Sequence, residues 1–186
     1  MTPILTTQAL WCLIIGASPW LAALSWHDVK HRRLPNSLTL SLAAAALVFR
    51  FGFGHLPLFL DGLLGGLAAI IFLLLPFLLG GAGGGDVKMI MASGCLCGLE
   101  GTMFMLFITS AVGFLLAVVM LFAGRADASR LKHWGRCIFD WRYDRKAGRE
   151  ALPPKTDERV RLPFGVAIAL GTWLTLALGL CIQSAQ

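Results

Sequence analysis

From Pro57 to Leu99 the chain reads PLFLDGLLGGLAAIIFLLLPFLLGGAGGGDVKMIMASGCLCGL. Residues 57–79 carry one charge, Asp61, and are long enough to cross a hydrocarbon core of ~30 Å as a helix. A second apolar run starts at Val87. Between the two lies Gly80-Gly81-Ala82-Gly83-Gly84-Gly85-Asp86, which cannot be helix interior because each glycine costs ~1 kcal/mol relative to alanine there. Two membrane helices joined by a flexible Gly-rich loop are therefore expected. The same alternation of apolar runs with polar or Gly/Pro punctuation extends outward in both directions. It predicts six spans, about 4–26, 37–53, 57–79, 87–99, 102–123 and 162–182. The expected fold is all-α and polytopic, one membrane-embedded domain over 1–186, with the Gly-rich loop before the fourth helix and a basic loop, about 124–161, between the fifth and sixth. Composition agrees: the 186 residues are 57% hydrophobic and 14% charged, with a mean hydropathy of +0.75. Soluble domains carry about 25% charged residues, so that class is excluded.

The fourth span is short. Residues 87–99 make about 20 Å of helix, so either the helix starts deep in the bilayer or the Gly-rich segment dips into it. Non-helical backbone at that depth is tolerated only where protein buries it or water reaches it, which predicts a water-accessible cleft around 80–86. No Lys or Arg precedes Lys30. The first apolar run thus lacks the positive start of a cleavable signal peptide and is expected to stay as a membrane helix. The five cysteines include no C-x-x-C pair, so neither a disulfide framework nor a thiolate zinc site is indicated.

The net charge of +6 is informative through its distribution. Fifteen of the 16 Lys and Arg residues fall in segments 27–36, 80–88 and 124–161, on one face of a six-span layout; the other face holds only Arg50. Basic loops are retained in the cytoplasm, so both termini are expected outside. Asn36 after Pro35 is placed to cap the second helix, and Pro163 suits the first turn of the sixth.

Acidic groups near membrane spans are costly enough to attract functional suspicion, and four qualify: Asp28, Asp61, Asp86 and Glu100. Asp61 and Glu100 lie toward the outer face, where solvation or helix capping explains them. Asp28 and Asp86 share the cytoplasmic face. Alone, Asp28 in Trp26-His27-Asp28-Val29-Lys30-His31-Arg32-Arg33 reads as a solvated counter-charge. The Gly-rich segment lacks the Gly-Lys-Ser/Thr ending of a phosphate-binding loop and the strand context of a dinucleotide fingerprint. Two uses remain: a plain flexible turn, or a gap across which a second carboxylate approaches Asp86. Two carboxylates a few Å apart share a proton and can activate water toward a peptide carbonyl.

At this point the chain resembles the type IV prepilin peptidases, membrane aspartic proteases of the GxGD class. The resemblance rests on Asp28 followed by basic residues and Leu34-Pro35-Asn36, on Gly83-Gly84-Gly85-Asp86-Val87-Lys88, and on Pro163-Phe164-Gly165 opening the last helix. It implies Asp28 and Asp86 as the catalytic pair, with Gly83, Gly85, Lys88, Pro35 and Asn36 supporting the cleft. It further implies an aspartic endopeptidase of the bacterial cytoplasmic membrane that cleaves the leader of prepilin or pseudopilin precursors at the cytoplasmic face. Which aspartate is base and which acid stays open. Without the paired C-x-x-C motifs of the larger members, the expectation is a short, peptidase-only form. Presenilin-like members of the class carry Tyr-Asp, whereas the single tyrosine here, Tyr143, is far from either aspartate.

His27 and His31 flank Asp28 at i, i+4 spacing, but Lys30, Arg32 and Arg33 repel a cation, so no metal and no cofactor is expected. In the basic loop, Leu131, Trp134, Ile138 and Trp141 recur at helical spacing while Arg130, Lys132, Arg136 and Arg142 lie elsewhere around the helix. That pattern predicts either an interfacial helix drawn to the anionic inner leaflet or a plain retention loop. A peptide spanning 125–146 is expected to gain helicity on anionic vesicles by circular dichroism; no gain leaves the retention loop. No nucleic-acid module accompanies the charge, so nucleic acid is not an expected partner. Two rivals remain at this level: a proton-coupled transporter and a non-catalytic pilus or secretion assembly protein.

Overall fold

The computed structural model of the chain describes residues 6–31, 34–78, 82–122 and 164–184. Among these the protein is all-helical: α1 (Thr7–His31), α2 (Asn36–Leu78), α3 (Gly84–Phe122) and α4 (Phe164–Ser184). Each of the four is long and apolar enough to cross a membrane. The basic loop 124–161, with its expected amphipathic helix, and Pro163 lie outside the described residues. The chain divides into two compact units, Met1–Gly113 with Pro163–Gln186, and Phe114–Leu162. The described part of the second is the end of α3, with Phe114, Leu115, Val119 and Phe122 exposed.

A straight helix of the 43 residues of α2 would run about 65 Å, twice a hydrocarbon core. The backbone instead leaves the helix at Gly54 (φ −147°, ψ 19°) and His55 (φ 53°, ψ −147°), separating 36–53 from 56–78. This break falls in the expected punctuation, and Pro57 follows it in the first turn, where its missing N–H costs nothing. α3 breaks at Gly98 (φ 75°, ψ 176°), separating 84–97 from 99–122. The turn expected at 100–101 is thus displaced to Gly98. Those angles lie in a region that only glycine enters readily, whereas Glu100 and Gly101 continue the helix.

A buried ion pair ties the two breaks together. Arg50 is 2% exposed, and its guanidinium donates to Asp61 Oδ2 (2.9 Å), to the Leu58 carbonyl (3.4 Å) and to the Leu96 carbonyl (3.3 Å). Asp61 Oδ1 accepts the Leu99 N–H at 3.2 Å. Arg50 thereby satisfies a carbonyl in the last turn before Gly98, and Asp61 caps the helix that restarts after it. The sequence placed Arg50 as a lone cation on the outer face and Asp61 as solvated or capping. Asp61 does cap, but Arg50 is neutralised inside the fold.

Small residues draw α2 and α3 together. Gly62 and Gly66 on α2, and Gly94 and Gly98 on α3, form two G-x-x-x-G patterns, the spacing that lets membrane helices touch backbone to backbone. A Cβ added at Gly65 would lie 2.5 Å from the Gly94 carbonyl oxygen, and one at Gly94 2.5 Å from that of Gly65. Large apolar side chains such as Leu64, Leu67, Ile71, Phe104 and Phe107 point outward. That arrangement suits a lipid surround, where small residues, not large ones, fill helix interfaces.

α1 packs against α4 and α2, with Trp173 Nε1 donating to Ser18 Oγ and Trp20 Nε1 to Ser41 Oγ, each at 3.2 Å. The buried positions of α1 are Ala9, Leu10, Leu13, Ile14, Ala17, Leu21, Leu24 and Asp28, one stripe at three- and four-residue spacing. α4 meets α3 where Thr172 Oγ1, which donates to the Ile168 carbonyl at 2.7 Å, lies 3.5 Å from Met105 Sδ and where Phe164 covers Gly113.

Candidate active site

Asp28 was expected in a loop after the first helix. α1 instead continues to His31, so Asp28 lies in its last turn, four residues after Leu24 on the buried stripe. It is 6% exposed, while Val29 and Lys30 beside it are exposed. The solvated counter-charge reading is thereby removed, because a buried carboxylate needs donors. One comes from α4: the Gly165 N–H donates to Asp28 Oδ2 at 2.7 Å. Gly165 is the second residue of α4, and N–H groups in a first turn have no intrahelical acceptor and sit at the positive end of the helix dipole.

Asp86 is the third residue of α3, which starts at Gly84, three residues ahead of the expected Val87. Its Oδ2 accepts the Gly83 N–H at 3.0 Å, while the Gly83 carbonyl accepts the N–H groups of Asp86 (3.1 Å) and Val87 (3.3 Å). The reciprocal cap explains how glycines can open the helix: Gly84 and Gly85 occupy its first turn, not its interior.

The stretch from Asp28 to Asn36 reaches α4 at one end and α3 at the other. At its far end Leu34 packs against Gly85, where an added Cβ would lie 3.0 Å from Leu34 Cβ. Next to it, Lys88 Nζ donates to Asn36 Oδ1 at 2.8 Å. Asn36 therefore does not act as the expected cap. It is the first residue of α2, and the Pro35 carbonyl accepts the Thr39 N–H at 3.3 Å. All three quoted motifs thus meet through the first, Asp28 touching the last and Leu34 and Asn36 the second. Leu34 and Gly165 were absent from the expected site residues. Gly165 closes the third quoted motif, but nothing local to it marks the pairing with Asp28, which lies 137 residues away. The His27 and His31 rings lie 5.4 Å apart, and among the described residues no group of three or more His, Cys, Asp or Glu converges as a metal site.

Gly165 is required by this closeness. A Cβ there would lie 2.7 Å from Asp28 Oδ2 and 3.0 Å from Cγ. Gly165→Ala is expected to lower turnover about tenfold by displacing the carboxylate, with a change in thermal midpoint of only a few degrees, since alanine itself favours the helix. Unchanged turnover shows that the Asp28 position is not critical.

Residues 13–118 match the profile of the Type IV leader peptidase family, a stretch containing Asp28, Asp86 and the Gly-rich segment. The chain belongs to the type IV leader peptidase family. It is 33% identical over 142 residues to a prepilin leader peptidase/N-methyltransferase of Xanthomonas campestris pv. campestris, covering 68% of this chain and 49% of that protein. It is also 33% identical over 108 residues to a prepilin leader peptidase/N-methyltransferase of Neisseria gonorrhoeae, covering 54% of this chain and 37% of that protein. The chain spans about half the length, or less, of these relatives. No solved structure matches it. Within the type IV leader peptidase family, the matched stretch spans most of α1, all of α2 and α3 as far as Val118, while α4, which supplies the donor to Asp28, lies beyond it.

Proposed function

We propose that this protein is a membrane-embedded aspartic endopeptidase that removes the leader of type IV prepilin or pseudopilin precursors, with Asp28 and Asp86 as its catalytic pair. The observation that carries the reading is the burial of Asp28. In a family of leader peptidases, a carboxylate on the buried stripe of α1, fixed by the first turn of α4, is poor as a counter-charge and well suited to hold a defined position. Asp86 is held in turn by Gly83 in the first turn of α3. One carboxylate takes a proton from water as the water oxygen adds to the carbonyl carbon, while the other donates one to the scissile carbonyl oxygen. The first then gives its proton to the leaving nitrogen as the C–N bond breaks, and the second recovers one from the hydroxyl as the new carboxyl group forms. The reaction proposed is leader cleavage alone.

In this reading the breaks at Gly54–His55 and Gly98 are turns at the outer surface, so that the four helices make six crossings with both termini outside. The active site then faces the cytoplasm of a bacterial inner membrane. The substrate's extended cleavage segment enters beside the Gly-rich start of α3 while its apolar helix packs from the bilayer. Co-expression with a tagged prepilin tests the activity: the wild type is expected to convert the precursor to a shorter product. Uncut precursor with the wild type ends the protease reading for that substrate.

A further inference from the structure

The two aspartates sit on different helices, α1 and α3, yet a short path joins them. From Asp28 the chain runs eight residues to Asn36, crosses by a hydrogen bond to Lys88, and returns two residues to Asp86. Beside this bond Leu34 seats on Gly85, the residue before Asp86, where an added Cβ would make a tight 3.0 Å contact with Leu34 Cβ. The contact pair is polar on one side and apolar on the other, and it joins the entry of α2 to the first turn of α3. The Lys88 Nζ–Asn36 Oδ1 bond is 2.8 Å long with Asn36 exposed, and it brings the lysine to one partner against about 2 kcal/mol of rotamer entropy. Lys88 is also half-buried, not extended into solvent.

We propose that Lys88 and Asn36 form a clasp that sets the position of Asp86 relative to Asp28. Both are positioning residues: they act through the aspartate and not on the substrate. The inference rests on the proposed peptidase activity and deepens it, since it assigns the lysine after the second aspartate to alignment and not to recognition of an acidic group on the precursor. Misplacing a catalytic group by a fraction of an ångström lowers the chemical step without weakening substrate binding, so the effect should fall on kcat and spare KM. Two residues acting through one bond should also be non-additive when both are removed.

The test is a double-mutant cycle on the full chain in detergent or liposomes, with a purified prepilin as substrate. Asn36→Leu and Lys88→Met are each expected to lower kcat about tenfold with KM within twofold of the wild type. The double variant is expected to fall no further, and Asn36→Asp, which keeps an acceptor for the ammonium, to stay within about threefold of the wild type. Multiplicative losses in the double variant, a defect confined to KM, or wild-type kcat throughout overturns the clasp. Should Asn36→Leu or Lys88→Met not accumulate, Asn36→Ser compared with Asn36→Asp gives the same decision through the kcat difference. A wild-type enzyme that cleaves nothing removes the peptidase reading, and the clasp as a device of that reaction with it. Normal wild-type cleavage with indifferent variants removes the clasp alone.

Discussion

Asp28→Asn and Asp86→Asn are each expected to reduce precursor processing by about 10²- to 10⁴-fold, the range general acid–base groups contribute, in protein that inserts and folds normally. The amide is nearly isosteric with the carboxylate. At position 28 its oxygen can still accept the Gly165 N–H, and the side chain still fills a site that is 6% exposed. At position 86 its oxygen can still accept the Gly83 N–H and cap α3. What the amide cannot do is take a proton from water or share one with the other carboxylate. A loss of cleavage with an unchanged thermal midpoint therefore separates chemistry from folding. The readout is the proportion of cut to uncut tagged prepilin on a gel over time. Cleavage at the wild-type rate by either variant removes that aspartate from the mechanism.

Gly98→Ala is expected to cost about 3 kcal/mol or more of stability and to lower the yield of folded protein sharply, through two effects that add. The residue has φ 75° and ψ 176°, which an L side chain adopts only under strain of about 1–3 kcal/mol. A Cβ there would also run into Asp61 Oδ2 and the Arg50 guanidinium. Pushing those groups apart leaves Arg50, 2% exposed, without its partner, and a broken buried pair costs about 3–5 kcal/mol. Gly16→Ala and Gly179→Ala are the controls, since nothing lies within 4 Å of an added Cβ at either position. They are expected to match or exceed the wild-type thermal midpoint in detergent, because alanine favours a helix interior by about 1 kcal/mol. A Gly98→Ala protein with the wild-type midpoint contradicts the role given to this break.

The parts of the fold visible in the sequence are those set by runs of one residue class. Apolar stretches marked the helices, and the Gly/Pro punctuation at 54–56 marked the break in α2. Gly98 was less visible, since three glycines, Gly94, Gly98 and Gly101, lie near the expected turn and only the backbone angles distinguish them. Helix ends shifted for local reasons. The last turn of α1 absorbed polar residues through His31, and the reciprocal cap at Asp86 let α3 begin among glycines. The site was legible as an ordered set of motifs but not as a set of contacts. Burial of Asp28 depends on which side of α1 faces α4, and the mixed Trp26-His27-Asp28-Val29 sequence does not mark that side.

The amino-acid order by itself determined the all-helical membrane class, because hydropathy acts residue by residue along the chain, and its ordered motifs singled out Asp28 and Asp86 as candidates through the family resemblance. Tertiary structure alone decided the partners. Arg50 became the buried mate of Asp61, Gly165 the donor to Asp28, and Lys88 the donor to Asn36. These pairs span 11, 137 and 52 residues, and each depends on helices being packed at a particular rotation and depth. Hydrogen bonds, including the one inside the Arg50–Asp61 pair, fade within about an ångström of their best distance and need alignment, so no summation along the sequence can reveal them.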